Sequence, residues 1–185
     1  MSTTAWVVIG IAVVAAIWLI ATYNRLVAAR NQARNGWSQI DVQLKRRHDL
    51  IPNLVEVVKD AMGYEQETLK QVIEARNAAV RASGPAEAGP AEAALSAATG
   101  RLFALMENYP QLRANENVKQ LQEELTTTEN KISFARQFYN DNVMTYNTAI
   151  QTFPTLLIAG MFQFTKRDFF EVKGGPEREA PKVSF

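Results

Sequence analysis

Residues 118–153 read VKQLQEELTTTENKISFARQFYNDNVMTYNTAIQTF. Along them Val118, Leu121, Leu125, Thr128, Ile132, Ala135, Tyr139, Asn142, Tyr146, Ala149 and Phe153 recur at alternating steps of three and four. That spacing lines one side of an α-helix, because 3.6 residues complete a turn. Val143 and Ile150 lie beside the seam and widen it, while Glu123, Asn130, Gln137 and Gln151 fall on the opposite side. At 1.5 Å per residue the helix runs roughly 55 Å before Pro154 ends it. A stripe that long must face other helices or a second subunit, so the expected fold is all-α: an elongated antiparallel bundle of about four helices.

Upstream, Trp37, Ile40, Leu44, Ile51, Leu54, Val58 and Met62 repeat the pattern, with Val55 and Leu69 widening it. Pro52 removes a backbone donor and biases Ile51 away from helical dihedrals, which predicts a kink near Asp49, with Asp49 capping a restarted helix that runs to about Ala82. SGPAEAGP (Ser83 to Pro90) reads as a linker because two Gly-Pro dipeptides surround small residues. A third helix then places Leu95, Ala98, Leu102, Leu105 and Tyr109 on one face and stops at Pro110.

At the N-terminus every residue from Ala5 to Ala21 is apolar or Gly, and the first charged side chain is Arg25. About twenty residues of helix span about 30 Å, the thickness of a bilayer's hydrocarbon core. Trp6 and Trp18 sit near the two ends, where indole rings favour the membrane interface. A signal peptide begins with a basic region and has a shorter apolar stretch, and a buried core helix would need burial all round. The reading is therefore a single transmembrane helix. No basic residue precedes it, whereas Arg25, Arg30 and Arg34 follow it with no acid before Asp41, which predicts an external N-terminus and a cytoplasmic bundle. The expected organisation is an anchor over 1–22, a cytoplasmic helical bundle over 23–153, an apolar C-terminal segment over 154–172 and a disordered, Gly- and Pro-rich tail over 173–185.

Composition narrows the chemistry. The 185 residues carry 20 Lys and Arg against 19 Asp and Glu, one His and no Cys. The near-zero net charge gives no global attraction to nucleic acid, so none is expected as a partner. Without cysteine there is no disulfide, thiolate metal site or cysteine nucleophile, and His48 alone cannot form the His pairs of most zinc sites. Glu116, Glu123, Glu124 and Glu129 share one helix without the Glu-x-x-His pattern of carboxylate di-metal bundles. The basic run Lys45, Arg46, Arg47 and His48 lies roughly 35 Å along a straight helix from Thr22, beyond the reach of lipid headgroups with a Debye length of about 8 Å. It is expected to pair with Glu123, Glu124 or Glu129.

Three motifs, RRHDLIPNLVEVVK (Arg46 to Lys59), YPQLRANENVKQLQEELTTTENKISFARQFYND (Tyr109 to Asp141) and FPTLLIAGMFQF (Phe153 to Phe164), resemble the LemA family in residues and in order. The resemblance extends over about residues 1–172. It departs at Asp60 and Tyr64, where the family often has Gly and His, and at Gln163, where it often has Gly. It implies a bacterial protein of the cell (inner) membrane, with a short external N-terminus and a cytoplasmic helical bundle. The family has no established enzymatic activity.

Two function classes follow. The first is a non-enzymatic scaffold or adaptor whose partners are the lipid bilayer, further copies of itself and an unspecified protein. It has no catalytic, cofactor-binding or metal residues. The second is a membrane-bound enzyme or carboxylate metal protein using His48, Asp49 and the Glu cluster. The surplus aromatics Phe134, Phe138, Phe162, Phe164, Phe169 and Phe170 either form a self-association surface, aided by the small-residue pair Ala12 and Ala16 with Gly10 nearby in the span, or belong to a tail and N-terminal helices that fold over the chain's own bundle.

Overall fold

The computed structural model describes residues 2–63 and 65–171, so Tyr64 and the tail read as disordered over 173–185 lie outside the described residues. Within them the chain forms α1 (Thr3–Lys59), α2 (Gln66–Arg81), α3 (Gly84–Met106), α4 (Pro110–Ala114), α5 (Glu116–Gln151) and α6 (Thr155–Met161), with no strand. The all-α expectation holds.

α1 has 57 residues, about 86 Å of continuous helix. Its N-terminal part is long and apolar enough to cross a membrane, and none of that apolar window is buried. Beyond it α1 and α5 run antiparallel: Leu26 packs with Tyr146 and Ile150, Trp37 against Tyr139, and Arg46 meets Glu124. α2 and α3 complete an up-down-up-down bundle only over the far half of α1. There Ile51, Leu54 and Val58 of α1 pack with Val72 of α2, Leu95 and Leu102 of α3, and Val118 and Leu125 of α5. A middle core of Ala33, Ile40, Leu44, Ile132, Tyr139 and Val143 is closed by Phe170 and by Ala88 at the start of α3. A third core, nearest the apolar segment, joins Leu26, Tyr146 and Ile150 to Ile158 and Ala159 of α6.

The α5 seam is buried as its spacing predicts at Val118, Leu125, Thr128, Ile132, Tyr139 and Tyr146, and Asn115 caps the helix by accepting from the N–H groups of Asn117 and Val118. The seam ends early, since α5 stops at Gln151 and Phe153 is 80% exposed. Truncating Leu125 or Ile132 to Ala is expected to cost about 2–5 kcal/mol, and Gln137→Ala, on the exposed side, no more than about 0.5 kcal/mol. Denaturant melts of the full chain in mild detergent check this contrast.

Four local expectations are overturned. α1 passes Pro52 without a break, and Asp49 is exposed instead of capping. The missing Pro52 N–H frees the carbonyl of His48, one turn earlier, and the Arg76 Nε of α2 donates to it at 3.1 Å. The helix ends at Lys59, so residues up to Ala82 belong to a separate α2. Ser83 to Pro90 is no linker but the opening of α3. The Glu87 carboxylate accepts from the Ser83 N–H at 2.9 Å, a variant of the capping box, and Pro85 sits in the first turn, where no donor is needed. Pro110 likewise opens α4, four residues after α3 has ended at Met106.

After α6 the chain turns back at Gln163, whose φ of 54° lies in the left-handed region that suits the Gly the family often carries there. Residues 164–171 then run along the bundle without helix or strand.

Candidate functional site

Two polar arrangements stand out. The first lies where the far and middle cores meet. Arg47 and His48 of α1 and Glu92 of α3 are all buried. Glu92 accepts on both oxygens, from His48 Nε2 at 2.6 Å and from Arg47 Nη1 at 3.2 Å. The same guanidinium reaches Glu129 of α5 at 3.1 Å and donates to Ser96 Oγ at 2.8 Å, and Ser96 donates in turn to Glu129. One neighbour along, Arg46 pairs with Glu124 at 3.3 Å in a largely exposed position.

The expected pairing of the basic run with Glu124 and Glu129 is thus present. Its deepest partner, Glu92, is not among the expected acids: it lies two residues past the stretch Ser83 to Pro90, in an Ala-rich run with no acid seam of its own. The structure does not bring His48, Asp49 and the α5 glutamates together. Asp49 and Glu123 face solvent, and Glu116 pairs along its own helix with Lys119. Chemically the cluster is a clasp: Glu92 binds both basic side chains, and Ser96 is held by Arg47 and Glu129, with no hydrogen bond to the imidazole among the described residues.

The second arrangement binds the extended C-terminal segment. Tyr146 donates to the Thr165 carbonyl at 2.9 Å and Tyr139 to the Asp168 carbonyl at 2.7 Å. Asn147 pairs its amide with both backbone groups of Arg167, at 2.8 and 2.9 Å, and Asn140 does the same with Phe170, at 3.2 and 3.0 Å. Each Tyr-Asn pair therefore grips the strap once. The pairs are seven residues apart on α5, about 10.5 Å, and their targets are three residues apart on an extended chain, about 10 Å. The two periods match, so the side-chain amides replace the neighbouring strand that an extended backbone otherwise requires. Phe170 inserts fully into the middle core against Trp37, with ring centroids 5.6 Å apart. The repeated Tyr-Asn at 139–140 and 146–147 is the sequence signal that a single-seam reading passes over.

Of the two alternatives for these aromatics, the tail follows the second in part: it covers its own bundle. Phe170 is buried and Phe164 partly buried against the chain's own bundle, beneath Arg30, whose guanidinium lies 5.1 Å from the ring. Neither is free for a second subunit. Phe134 is 75% exposed, and none of the described residues covers it.

Residues 36–185 match the model of the LemA family. The chain belongs to that family. The match starts beyond the apolar segment and extends farther toward the C-terminus than the motifs imply. Relatives include the magnetosome protein MamQ of Magnetospirillum gryphiswaldense, 26% identical over 192 residues that cover 90% of this chain and 70% of the relative. Magnetosome protein MamQ 2 of Paramagnetospirillum magneticum matches with the same identity and coverage. Protein LemA of Metamycoplasma hominis is 26% identical over 140 residues, covering 74% of this chain and 63% of its own.

Burial pushes the Tyr139 phenol up to about 12, helped by Asp168 and opposed by the nearby Arg167 guanidinium. In the unfolded chain it titrates at its ordinary value near 10. Between these values the unfolded state holds fewer protons. Stability that is complete below pH 10 therefore falls as pH rises through about 12, by at most about 1.4 kcal/mol per pH unit. Alkaline melts of Tyr139→Phe are expected to show a shallower decline than wild type over that window.

Proposed function

We propose that this LemA-family protein is a membrane-anchored, non-enzymatic scaffold: a single-pass α1 with its N-terminus outside, and a rigid bundle on the cytoplasmic face of a bacterial inner membrane that associates with further copies of itself. The observation that carries it is the face shared by α1 and α5. Val42, Phe134 and Phe138 are exposed there beside a recess of about 670 Å³, lined also by Ser38, Gln39, Gln43 and Lys131. Gln43 Oε1 is buried without a hydrogen-bond partner, the one such side-chain atom among the described residues. Phe134 at the edge of a recess suits a two-fold contact about an axis along the membrane normal, in which each copy would set its ring into the other's recess. Tethering by α1 fixes that height and raises the effective concentration of copies. Glu92 holds both Arg47 and His48 in a buried cluster, which supports a structural role over a catalytic one.

Mass photometry in mild detergent and in nanodiscs tests the association: wild type is expected as an oligomer and Phe134→Ser as a smaller species. A monomeric wild type in both media overturns it, and an oligomer indifferent to Phe134→Ser removes this face from the contact. For the orientation, an Ala86→Cys variant is expected to resist an impermeant thiol reagent in intact cells and to label once they are permeabilised. Labelling of intact cells reverses the topology.

A further inference from the structure

The least water-compatible surface outside the α1 span is the tip of the molecule at residues 153–162. Phe153 is 80% exposed, Leu157 63% and Met161 69%, with Leu156 and Phe162 exposed beside them. α6 is apolar on both sides: Ile158 and Ala159 pack on Leu26, and the opposite side meets nothing among the described residues.

Its position says what covers that side. Thr152, Pro154 and Thr155 share a cleft with Trp18, Thr22 and Arg25 of α1. Trp18 lies four residues before Thr22, about 6 Å toward the span. The tip thus reaches past the level at which α1 leaves its apolar stretch. Tyr23 rests on Phe162, with ring centroids 4.8 Å apart, and the Arg30 guanidinium lies over Phe164, an arrangement of aromatic and snorkelling basic side chains suited to an interface.

Charge agrees. Residues 1–30 and 145–167, the part of the molecule nearest the span, contain no Asp or Glu and carry Arg25, Arg30, Lys166 and Arg167, with Asp41, Asp141 and Asp168 the first acids beyond them. A water-facing surface of a chain with balanced charge has no reason to segregate in this way, whereas a surface against anionic lipid does.

We propose that the 153–162 tip is a second membrane contact, lying beside α1 in the boundary between headgroups and acyl chains of an anionic bilayer. It rests on the reading of α1 as a membrane span. Insertion there requires only the few-ångström depth typical of interfacial helices. With α1 it gives the bundle two points of attachment, which fixes both its tilt and the face it turns along the membrane.

Because the chain has no cysteine, single nitroxide labels can be placed in the full-length protein, reconstituted in vesicles of phosphatidylcholine and phosphatidylglycerol. Leu157→Cys is the test site, Ile11→Cys the control for the span and Gln137→Cys the control for water. In power-saturation measurements the Leu157 label is expected to collide more with dissolved oxygen than with a water-soluble nickel chelate, as at Ile11 and opposite to Gln137. A Leu157 label that behaves like Gln137 while Ile11 reports lipid overturns the tip contact and leaves the span intact. A Leu157 label shielded from both reagents marks burial against protein and also overturns it. An Ile11 label that reports water removes the span, and the proposal with it.

Discussion

Glu92→Ala is expected to destabilise the protein by about 3–5 kcal/mol, the range for breaking a buried ion pair from one side. The reason is geometric. Glu92 is 3% exposed, and its two oxygens serve two buried partners, the His48 imidazole and the Arg47 guanidinium. Removing it strands the imidazole with no partner and leaves Arg47 with Ser96 and the half-exposed Glu129. The exposed pair next door supplies the control. Glu124→Ala removes a contact of similar length to Arg46, but both groups are solvated, so the loss is expected within about 1 kcal/mol. Denaturant titrations of both variants in detergent separate the cases, and equal losses would refute the clasp. A triple replacement of Arg47, His48 and Glu92 by apolar residues of similar volume is expected to recover most of the stability, because dehydrating the Arg47–Glu92 ion pair opposes its attraction. If it does, the cluster specifies how α3 sits on α1 more than how strongly it binds.

Which parts of this were legible in the sequence follows from the range of the forces involved. The α5 seam and the α1 stripe are statements about one helix, and periodicity carries them: Leu125, Ile132, Ile40 and Leu54 are buried as spaced. The pairing of Arg46 and Arg47 with α5 followed from charge and antiparallel order. The failures are places where a distant residue reverses a local rule. Pro52 should interrupt a helix whose freed carbonyl has no partner, but Arg76 of another helix supplies one. Ser83 to Pro90 has the composition of a linker, yet Glu87 caps it and the carbonyl of Glu171 lies close against Gly89, where a larger residue would collide. Composition sees the glycine and not the strap that needs it. The strap itself escaped because its binding determinants, Tyr139, Asn140, Tyr146 and Asn147, lie on a helix already explained by its apolar seam.

That strap is the source of the second large effect. Phe170→Ala is expected to cost about 3–5 kcal/mol, the range for emptying the site of a fully buried aromatic ring. Over the middle of the molecule no full-length α2 or α3 covers the α1–α5 pair, so Phe170 supplies side-chain volume that a third helix provides elsewhere. Residues 165–169 around its backbone are exposed. Phe170 is therefore the one deep anchor of the segment, and the hydrogen bonds from the two Tyr-Asn pairs hold it in register without burying it. Once the ring is removed, the strap's own conformational entropy opposes those hydrogen bonds. Its release would uncover Trp37, Tyr139 and Val143 together. Hydrogen exchange should then quicken along residues 33–44 of α1 and 139–147 of α5, while residues 51–58, locked in the far core by α2 and α3, keep their protection. Phe134→Ala, an equal change in chemistry at a 75% exposed site, is expected to alter stability by no more than about 0.5 kcal/mol. Similar losses for the two variants, or uniform acceleration along the whole of α1, would show that the strap lies on the bundle without forming part of its core.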